Sequence, residues 1–584
     1  MYFPQTSLLP ATITIANFVK SHGLEAFGMW YKNWYLGVPF RNIADPLLPI
    51  ITVGIQKLIS YFTISDITIY IIILAYIGSI IGWVMFTYYI SKNKLLPVLV
   101  FLFLVLLPWR IFSTIYFMDG ASSVAKSFIP LVFLSVWFAL SKKGMQHIVF
   151  SLISLITILL ISTSIIPGLL VGLISLSAVS AYKKGKLVNL KTNIVFVVKL
   201  LIVSLVIVTL WYKPLYWITL LSNPSLGGNS FVKVIAGIFS LTKSILPATL
   251  AVFMVHHAKR VRNRLTIFFL IWIAAFSILF SYRFFADYDF WQDWSGWIYE
   301  IEIGIAGLCA IILNSIITDI RKGGRISGIG KIVLTVVLLA LIPYALVWRF
   351  NSALASGLSS KQGLNINNFS KELNTQIPSR VFVSGTNTFV LNTLIDMEQV
   401  RGGKDQAATH PYWNHAAYQL REGSDPELSR LWLQALGVSF VIVNTGESDD
   451  FYKDFKYLHK WEKIGNLVRE GNGDKLYFIK DADIAWSINP QKTIKPERDN
   501  YEIALREYLL QRIEPLVVTD LDNGYAIQVH TGTKAVQLAV SYNKAWEIDG
   551  KVKCKVVKDS LGQMAIVFDS PTDKMEEVRL VYGK

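Results

Sequence analysis

The sequence predicts a helical, polytopic membrane domain of about ten spans, followed by external α/β and all-β sandwich domains. Three observations carry this. Of 584 residues, 53% are hydrophobic and only 16% charged, with a mean hydropathy of +0.45; a soluble chain carries about 25% charged residues. The basic excess is confined to one part: residues 1–349 hold 28 Lys and Arg against 10 Asp and Glu, residues 350–584 hold 28 against 30. Cations gathered in the apolar part report membrane topology, not nucleic-acid binding, and an ordinary soluble enzyme is excluded. Third, Asx-Gly turns separate short alternating runs near the C-terminus, the pattern of antiparallel sheet. Two cysteines, Cys309 in an apolar run and Cys554, build no disulfide framework.

Apolar runs long enough to cross or nearly cross a bilayer fall at 67–90, 95–109, 125–140, 148–164, 166–181, 192–211, 233–256, 265–283, 298–319 and 332–349. The Ser162–Pro167 stretch divides the fourth from the fifth. The connections alternate. One side holds Lys92 and Lys94, Lys142 and Lys143, Lys183 to Lys191, Lys259 to Arg264, and Arg321 to Lys331. The other has scattered cations such as Arg110, Lys213 and Arg283. The positive-inside rule makes the rich side cytoplasmic. Residues 1–66 and everything after Phe350 are then expected outside. An external start with no signal peptide further implies an apolar helix upstream of Met1.

Residues 1–66 are rich in aromatics and turns. Trp30, Tyr31, Trp34 and Tyr35 suit an interfacial belt, and residues 46–64 an amphipathic helix on the bilayer surface. The same string, Trp30-x-x-x-Trp34-x-x-Gly37-x-Pro39, resembles the GT-C superfamily of polytopic glycosyltransferases. It looks closest to the bacterial and archaeal membrane proteins called YfhO-like or 6-pyruvoyl-tetrahydropterin synthase-related. The later motifs Arg380-Val-Phe-Val-Ser, Arg401-Gly402, Leu436-Gly-Val-Ser-Phe-Val-Ile-Val and Tyr542-x-x-x-Trp546 resemble the external domains of those proteins. The resemblance implies sugar transfer from a polyprenyl-phosphate donor to an envelope glycan, lipid or protein.

Such transfer needs a carboxylate to take the acceptor's proton, and cations or a metal near the leaving phosphate. The resemblance implies an acid in the first external loop, where Glu25, Asp45 and Asp66 stand; Asp45 and Glu25 are the candidate bases. A second group follows Arg283: Asp287, Asp289, Asp293, Glu300 and Glu302, five of the ten carboxylates of residues 1–349. Read functionally, this is a sugar-phosphate or metal site walled by aromatics; read plainly, it is a solvated acidic loop with interfacial tryptophans. Glu300 and Glu302 open a span, where an ionised group is costly unless paired or wet. Asp287-x-Asp289 has ligands for a hard divalent ion. The string lacks the Trp-Trp-Asp-Tyr-Gly signature of oligosaccharyltransferases, so that branch is set aside. Asp119, in Phe-Met-Asp-Gly, is a third candidate beside its reading as a turn residue. Tyr212 and Lys213 suit a lipid phosphate or simple snorkelling. His410 and His415 lack zinc-spaced partners and read as surface histidines, and Gly402-Gly-Lys404 lacks the rest of a P-loop.

After a polar linker at 350–375, residues 376–480 alternate strands with a helix and predict a small α/β domain. Residues 481–511, partly helical, bridge to a β-sandwich at 512–584. The expected function is a GT-C-type membrane glycosyltransferase on the outer face. The competing expectation is a non-catalytic protein of the same fold that assembles envelope glycans or transports lipid-linked ones.

Overall fold

The computed structural model describes residues 8–106, 119–183, 186–222, 264–285, 297–321, 364–376, 378–450, 452–491, 493–550 and 552–583. The chain divides into two compact units: residues 45–214 with 229–359, and residues 1–44 with 215–228 and 360–584.

The first unit is helical. Its described elements are α2 (Leu47–Leu58), α3 (Ile64–Ser91), α4 (Leu95–Leu106), α5 (Gly120–Lys142), α6 (Met145–Ile161), α7 (Ile166–Ala181), most of α8 (Leu190–Ser222), α9 (Arg264–Phe285) and α10 (Ile298–Arg321). Six segments are long and apolar enough to cross a membrane: Ile64–Ser91, Gly120–Lys142, Thr163–Ala181, Leu190–Leu221, Arg264–Arg283 and Ile298–Thr318. The helices Leu47–Leu58, Leu95–Val105 and Met145–Ile161 are apolar but shorter. The expected spans at 233–256 and 332–349 lie outside the described residues. Helix ends follow local chemistry. Thr63 and Asp66 close a capping box at the start of α3. Lys92 and Lys143 end α3 and α5 in the left-handed conformation, φ 55° and 53°. Ser162, extended at φ −161°, breaks the chain between α6 and the single turn that leads into α7. Two of the basic pairs, Lys92 with Lys94 and Lys142 with Lys143, therefore fall at helix ends.

The bundle packs closely because glycines face aromatic rings. A β-carbon at Gly172 would collide with the Phe133 ring, and one at Gly307 with Phe269. Trp83, Phe86, Phe133, Phe268 and Trp272 meet at ring distances of 5.0 to 6.3 Å. In a bilayer, where apolar surface gains little by leaving lipid, this contact density is what holds helices together.

The second unit begins with α1 (Leu9–His22) and a two-stranded ribbon, β1 (Trp30–Tyr31) and β2 (Val38–Pro39). The next two strands of the chain, β3 (Tyr182–Lys183) and β4 (Lys186–Leu187), form a ribbon in the first unit. A five-stranded mixed sheet has the order β6-β5-β7-β9-β8: β6 (Glu398–Gln399), β5 (Arg380–Val383), β7 (Phe440–Asn444), β9 (Asp474–Phe478) and β8 (Asn466–Gly471). Strands β5, β6 and β7 run parallel, and β9 and β8 antiparallel. Helices α12 (Asn387–Leu394), α13 (Trp413–Glu422) and α14 (Pro426–Ala435) fall between these strands in the chain.

The sandwich has two antiparallel sheets. One is β11-β10-β14-β17-β16 and the other β12-β13-β18-β15. The strands are β10 (Ala485–Ile488), β11 (Arg512–Pro515), β12 (Val518–Leu521), β13 (Gly524–Val529), β14 (Ala535–Ser541), β15 (Trp546–Asp549), β16 (Cys554–Lys558), β17 (Gln563–Phe568) and β18 (Glu576–Tyr582). One core cluster joins both sheets.

Three local differences from the sequence reading have physical causes. Residues 364–374, read as polar linker, form helix α11 (Leu364–Asn374), because Ile366, Phe369 and Leu373 recur at helical spacing and fill the α/β core. Residues 481–511, read as a partly helical bridge, hold helix α15 (Tyr501–Leu510) but also supply β10 to the sandwich. Residues 1–66, read as one external segment, divide at Ala44 and Asp45 between the two units. Trp30 sits in the sandwich core against Trp546 and Tyr582, at 5.1 and 4.9 Å between rings. Trp34, fully buried, donates its indole N–H to Asn392 at 3.0 Å. Neither is available to a bilayer belt. Gly37 takes φ +90° under the Trp30 indole, where a β-carbon would collide.

Candidate functional site

The candidate site lies at the ends of helices in the first unit. Asp45 stands just before α2 and is buried. Its carboxylate accepts a hydrogen bond from the Tyr212 hydroxyl at 2.9 Å, and the same hydroxyl lies 3.3 Å from the Leu159 carbonyl near the end of α6. The backbone that delivers Tyr212 is unusual. Pro214 cannot donate into α8 and disfavours helical geometry in the residue before it. Lys213 accordingly leaves the helix at φ 61°, ψ 153°, a conformation nearly reserved for glycine. Lys213 itself is exposed.

An apolar groove lies in the same unit, and its lining begins two residues after Asp45 in the chain. Leu47, Leu48 and Ile51 of α2 line it at the Asp45 end, and Ile158 and Ile161 flank the Leu159 carbonyl. Its wall continues down α5 from Val124 to Phe138 and along α6 from Ile161 to Phe150. The fourteen steps from Val124 to Phe138 of α5 correspond to about 21 Å of helix. The volume is about 680 Å³ and the lining is almost wholly carbon, with Ser135 and Ser154 hydrogen-bonded to each other at 2.8 Å.

A second polar group occupies another face of α5. Asp119 caps that helix, accepting from the Ser122 N–H at 3.5 Å. The Ser122 hydroxyl accepts from Ser164 at 3.1 Å, and Ser164 meets Ser162 at 2.9 Å. Two turns in, the Lys126 ammonium lies 3.2 Å from the Glu300 carboxylate and 5.5 Å from the centre of the Tyr299 ring. Both charged side chains are buried, and the Glu300 carbonyl accepts from the Trp272 indole at 2.7 Å. Lys126 is two residues from Val124 and two from Phe128, which puts it some 200° round the helix from the groove lining.

The sequence candidates thus separate. Asp45 joins Tyr212, two residues before the first groove-lining residue, Leu47; Glu300 joins Lys126; Asp119 heads the same helix as Lys126. Glu302 is buried one residue beyond Ile301 on α10, and Arg283 is half-buried in the last turn of α9. Glu25 lies on an exposed turn of the other unit. Asp287, Asp289 and Asp293 lie outside the described residues. Among the described residues no three His, Cys, Asp or Glu side chains gather as metal ligands. Lys126 escaped the sequence reading, although its signal was there: a lysine inside an apolar run, costly unless paired. His410, read as a surface residue, is fully buried. Its Nδ1 accepts from the Tyr412 N–H at 3.2 Å, and burial, with Arg380 and Lys558 nearby, pushes its pKa down to about 3, so the ring stays neutral.

No family model matches the sequence, and no curated protein matches it. Among solved structures the chain is similar to the Archaeoglobus fulgidus oligosaccharyltransferase tethered with an acceptor peptide containing the NVT sequon, with a TM-score of 0.46, 10% identity, and 80% of this chain and 69% of that one covered. It is also similar to the arabinofuranosyltransferase AftD from Mycobacteria, with a TM-score of 0.46, 10% identity, and 100% of this chain and 58% of that one covered. The R1389S mutant of that enzyme, class 2, gives a TM-score of 0.47 at 11% identity. The chain spans 58% of the length of the arabinofuranosyltransferase.

Proposed function

We propose that this chain is a multi-pass membrane glycosyltransferase that moves a sugar from a polyprenyl-phosphate donor to an envelope glycan, lipid or protein on the outer face, where the positive-inside rule places the Asp45 ends of the helices. Two observations support it together: an apolar groove walled by some 21 Å of helix, and a buried carboxylate held by a tyrosine, two residues before the first groove-lining residue, Leu47. The groove suits an isoprenoid chain, with the phosphate at its mouth. Asp45 then takes the proton of the acceptor hydroxyl as that oxygen bonds the anomeric carbon. The bond from that carbon to the phosphate oxygen breaks, and the polyprenyl phosphate leaves with its electron pair. Tyr212 orients the carboxylate, and Lys213, next in the chain and exposed, supplies a cation for the departing phosphate. The Arg283 to Glu302 connection is proposed as the sugar- and metal-contacting wall.

The test is binding and transfer by the purified chain in nanodiscs. Undecaprenyl phosphate binding, followed by native mass spectrometry, should weaken at least tenfold in Val132→Trp, which fills the groove. Asp45→Asn should keep that binding and lose transfer from a polyprenyl-phosphate-linked sugar. Binding unchanged by the groove variant overturns the donor assignment. Binding without transfer in the unmodified chain favours the non-catalytic, lipid-linked-glycan transport reading.

A further inference from the structure

The apolar groove has a definite bottom. Its walls α5 and α6 are joined by the short turn at 143–144 and so run antiparallel. The near end is marked by Leu47 and Leu48, which follow Asp45, and by Ile158 and Ile161 about the Leu159 carbonyl. Deeper in, the Ser135 and Ser154 hydroxyls meet at 2.8 Å and tie the two walls together. One turn beyond them stand Phe138 and Phe150. The Phe138 ring is hemmed in by Tyr89 at 5.2 Å and His147 at 6.0 Å between ring centres, with the Lys142 ammonium 5.1 Å from its centre. A lysine and a histidine at helix ends stand where a bilayer turns polar. A hydrocarbon chain stops there.

The groove is also open along one side. Its back wall of Val124, Val132, Ile158 and Ile161 is at most 5% exposed, whereas Ile51, Ile153 and Phe150 at its rim are 40%, 55% and 60% exposed. On a membrane bundle such apolar exposure is contact with acyl chains. The groove is therefore a trough and not a tunnel.

Length and volume agree on what fits. The wall from Val124 to Phe138 is about 21 Å long, and a chain of C–C bonds near 1.5 Å advances about 5 Å per four-bond isoprene unit. A volume of about 680 Å³, at roughly 30 Å³ for a group the size of water or a methylene, takes about 22 such groups. Four isoprene units carry twenty carbons. Resting on the reading that the groove takes a polyprenyl phosphate, we propose that it measures only the first four isoprene units from the phosphate, and that the rest of a longer chain leaves through the open side into the bilayer. The first four units gain packed contacts with both walls. Units beyond them exchange one set of acyl neighbours for another and add next to nothing.

The test is binding to the full chain in nanodiscs, followed by native mass spectrometry and expressed as mole fraction in the disc lipid. The probes are prenyl phosphates of two, four and eleven units that share one geometry at the first double bond. Affinity should rise at least about tenfold from two units to four, and change by less than about twofold from four to eleven. Ser135→Phe, which fills the trough one turn above its bottom, should leave the two-unit phosphate binding as before and bring the four-unit one down to its level. Ser154→Phe should do the same from the other wall, and unchanged two-unit binding reports that either variant has folded. An affinity that climbs on to eleven units, or that is level from two units upward, overturns the four-unit measure and leaves the groove as donor site. Absence of binding at every length overturns the donor assignment itself, and the measure with it. The series on the unmodified chain decides the measure without either variant.

Discussion

Two buried ion pairs, one in each unit, show how differently charge is kept inside this protein. Lys126 and Glu300 meet at 3.2 Å between helices α5 and α10 of the helical unit. Arg380 and Glu398 meet between neighbouring parallel strands of the second unit. Around the latter pair polar partners accumulate. Arg380 also donates to the carbonyls of Leu436 and Ala539, and Glu398 accepts from the Tyr525 hydroxyl at 2.9 Å. Burial still raises the Glu398 pKa, against the pull of Arg380. This pair ties the α/β sheet to the sandwich, and nearby Lys32 reaches Asp520 at 2.6 Å from the N-terminal segment. The strand pair is thus a joint, its charge satisfied from three directions. The helix pair has an aromatic face and a run of serines instead, and lies where unpaired charge has no water to fall back on. A charge that serves only as a joint is embedded in hydrogen bonds; one inside an apolar bundle calls for a reason beyond stability.

Substitutions can break this comparison. The largest effect is expected from Arg380→Leu, which leaves Glu398 buried without its cation and should cost about 3 to 5 kcal/mol. Its measure is loss of the second unit's cooperative melting transition. Lys126→Met should cost nearly as much, about 3 kcal/mol, but here the rescue differs. The double change Lys126→Met with Glu300→Gln should recover most of the melting temperature, while Arg380→Leu with Glu398→Gln should not, because the carbonyls of Leu436 and Ala539 lose their donor as well. Equal recovery in both doubles would erase the distinction. Gly402→Ala sets a β-carbon against the Trp34 indole and should cost about 1 to 3 kcal/mol by overpacking, read as a lower melting temperature. The smallest effect belongs to Tyr212→Phe, which removes one hydrogen bond of about 1 kcal/mol. Stability should scarcely change, while sugar transfer falls; unchanged transfer would remove Tyr212 from the site.

Much of the candidate site was legible in the chain, though not its grouping. Asp45 was visible as an acid in the first external segment, and Glu300 as an acid at the mouth of a span. Nothing in the spacing joined Asp45 to Tyr212, 167 residues away, or Glu300 to Lys126. Nor could composition separate Glu25 from Asp45; their segment divides between two units, and only one of the acids is buried. The tryptophans mark the same limit. Their spacing was plain, but an amphipathic ring suits a bilayer interface as well as a protein core.

By itself the sequence determined what local patterning controls: apolar length, cation asymmetry, the breaks at Ser162 and Lys213-Pro214, and the alternation that makes the C-terminal sheets. Those follow from hydrogen bonding and hydrophobic burial along a few neighbouring residues. Only the tertiary structure decided which acids are buried, which cations face them, and that Trp30 belongs to a core built otherwise from residues 484 to 580. Burial and pairing depend on chain segments whose separation in sequence places no bound on their separation in space.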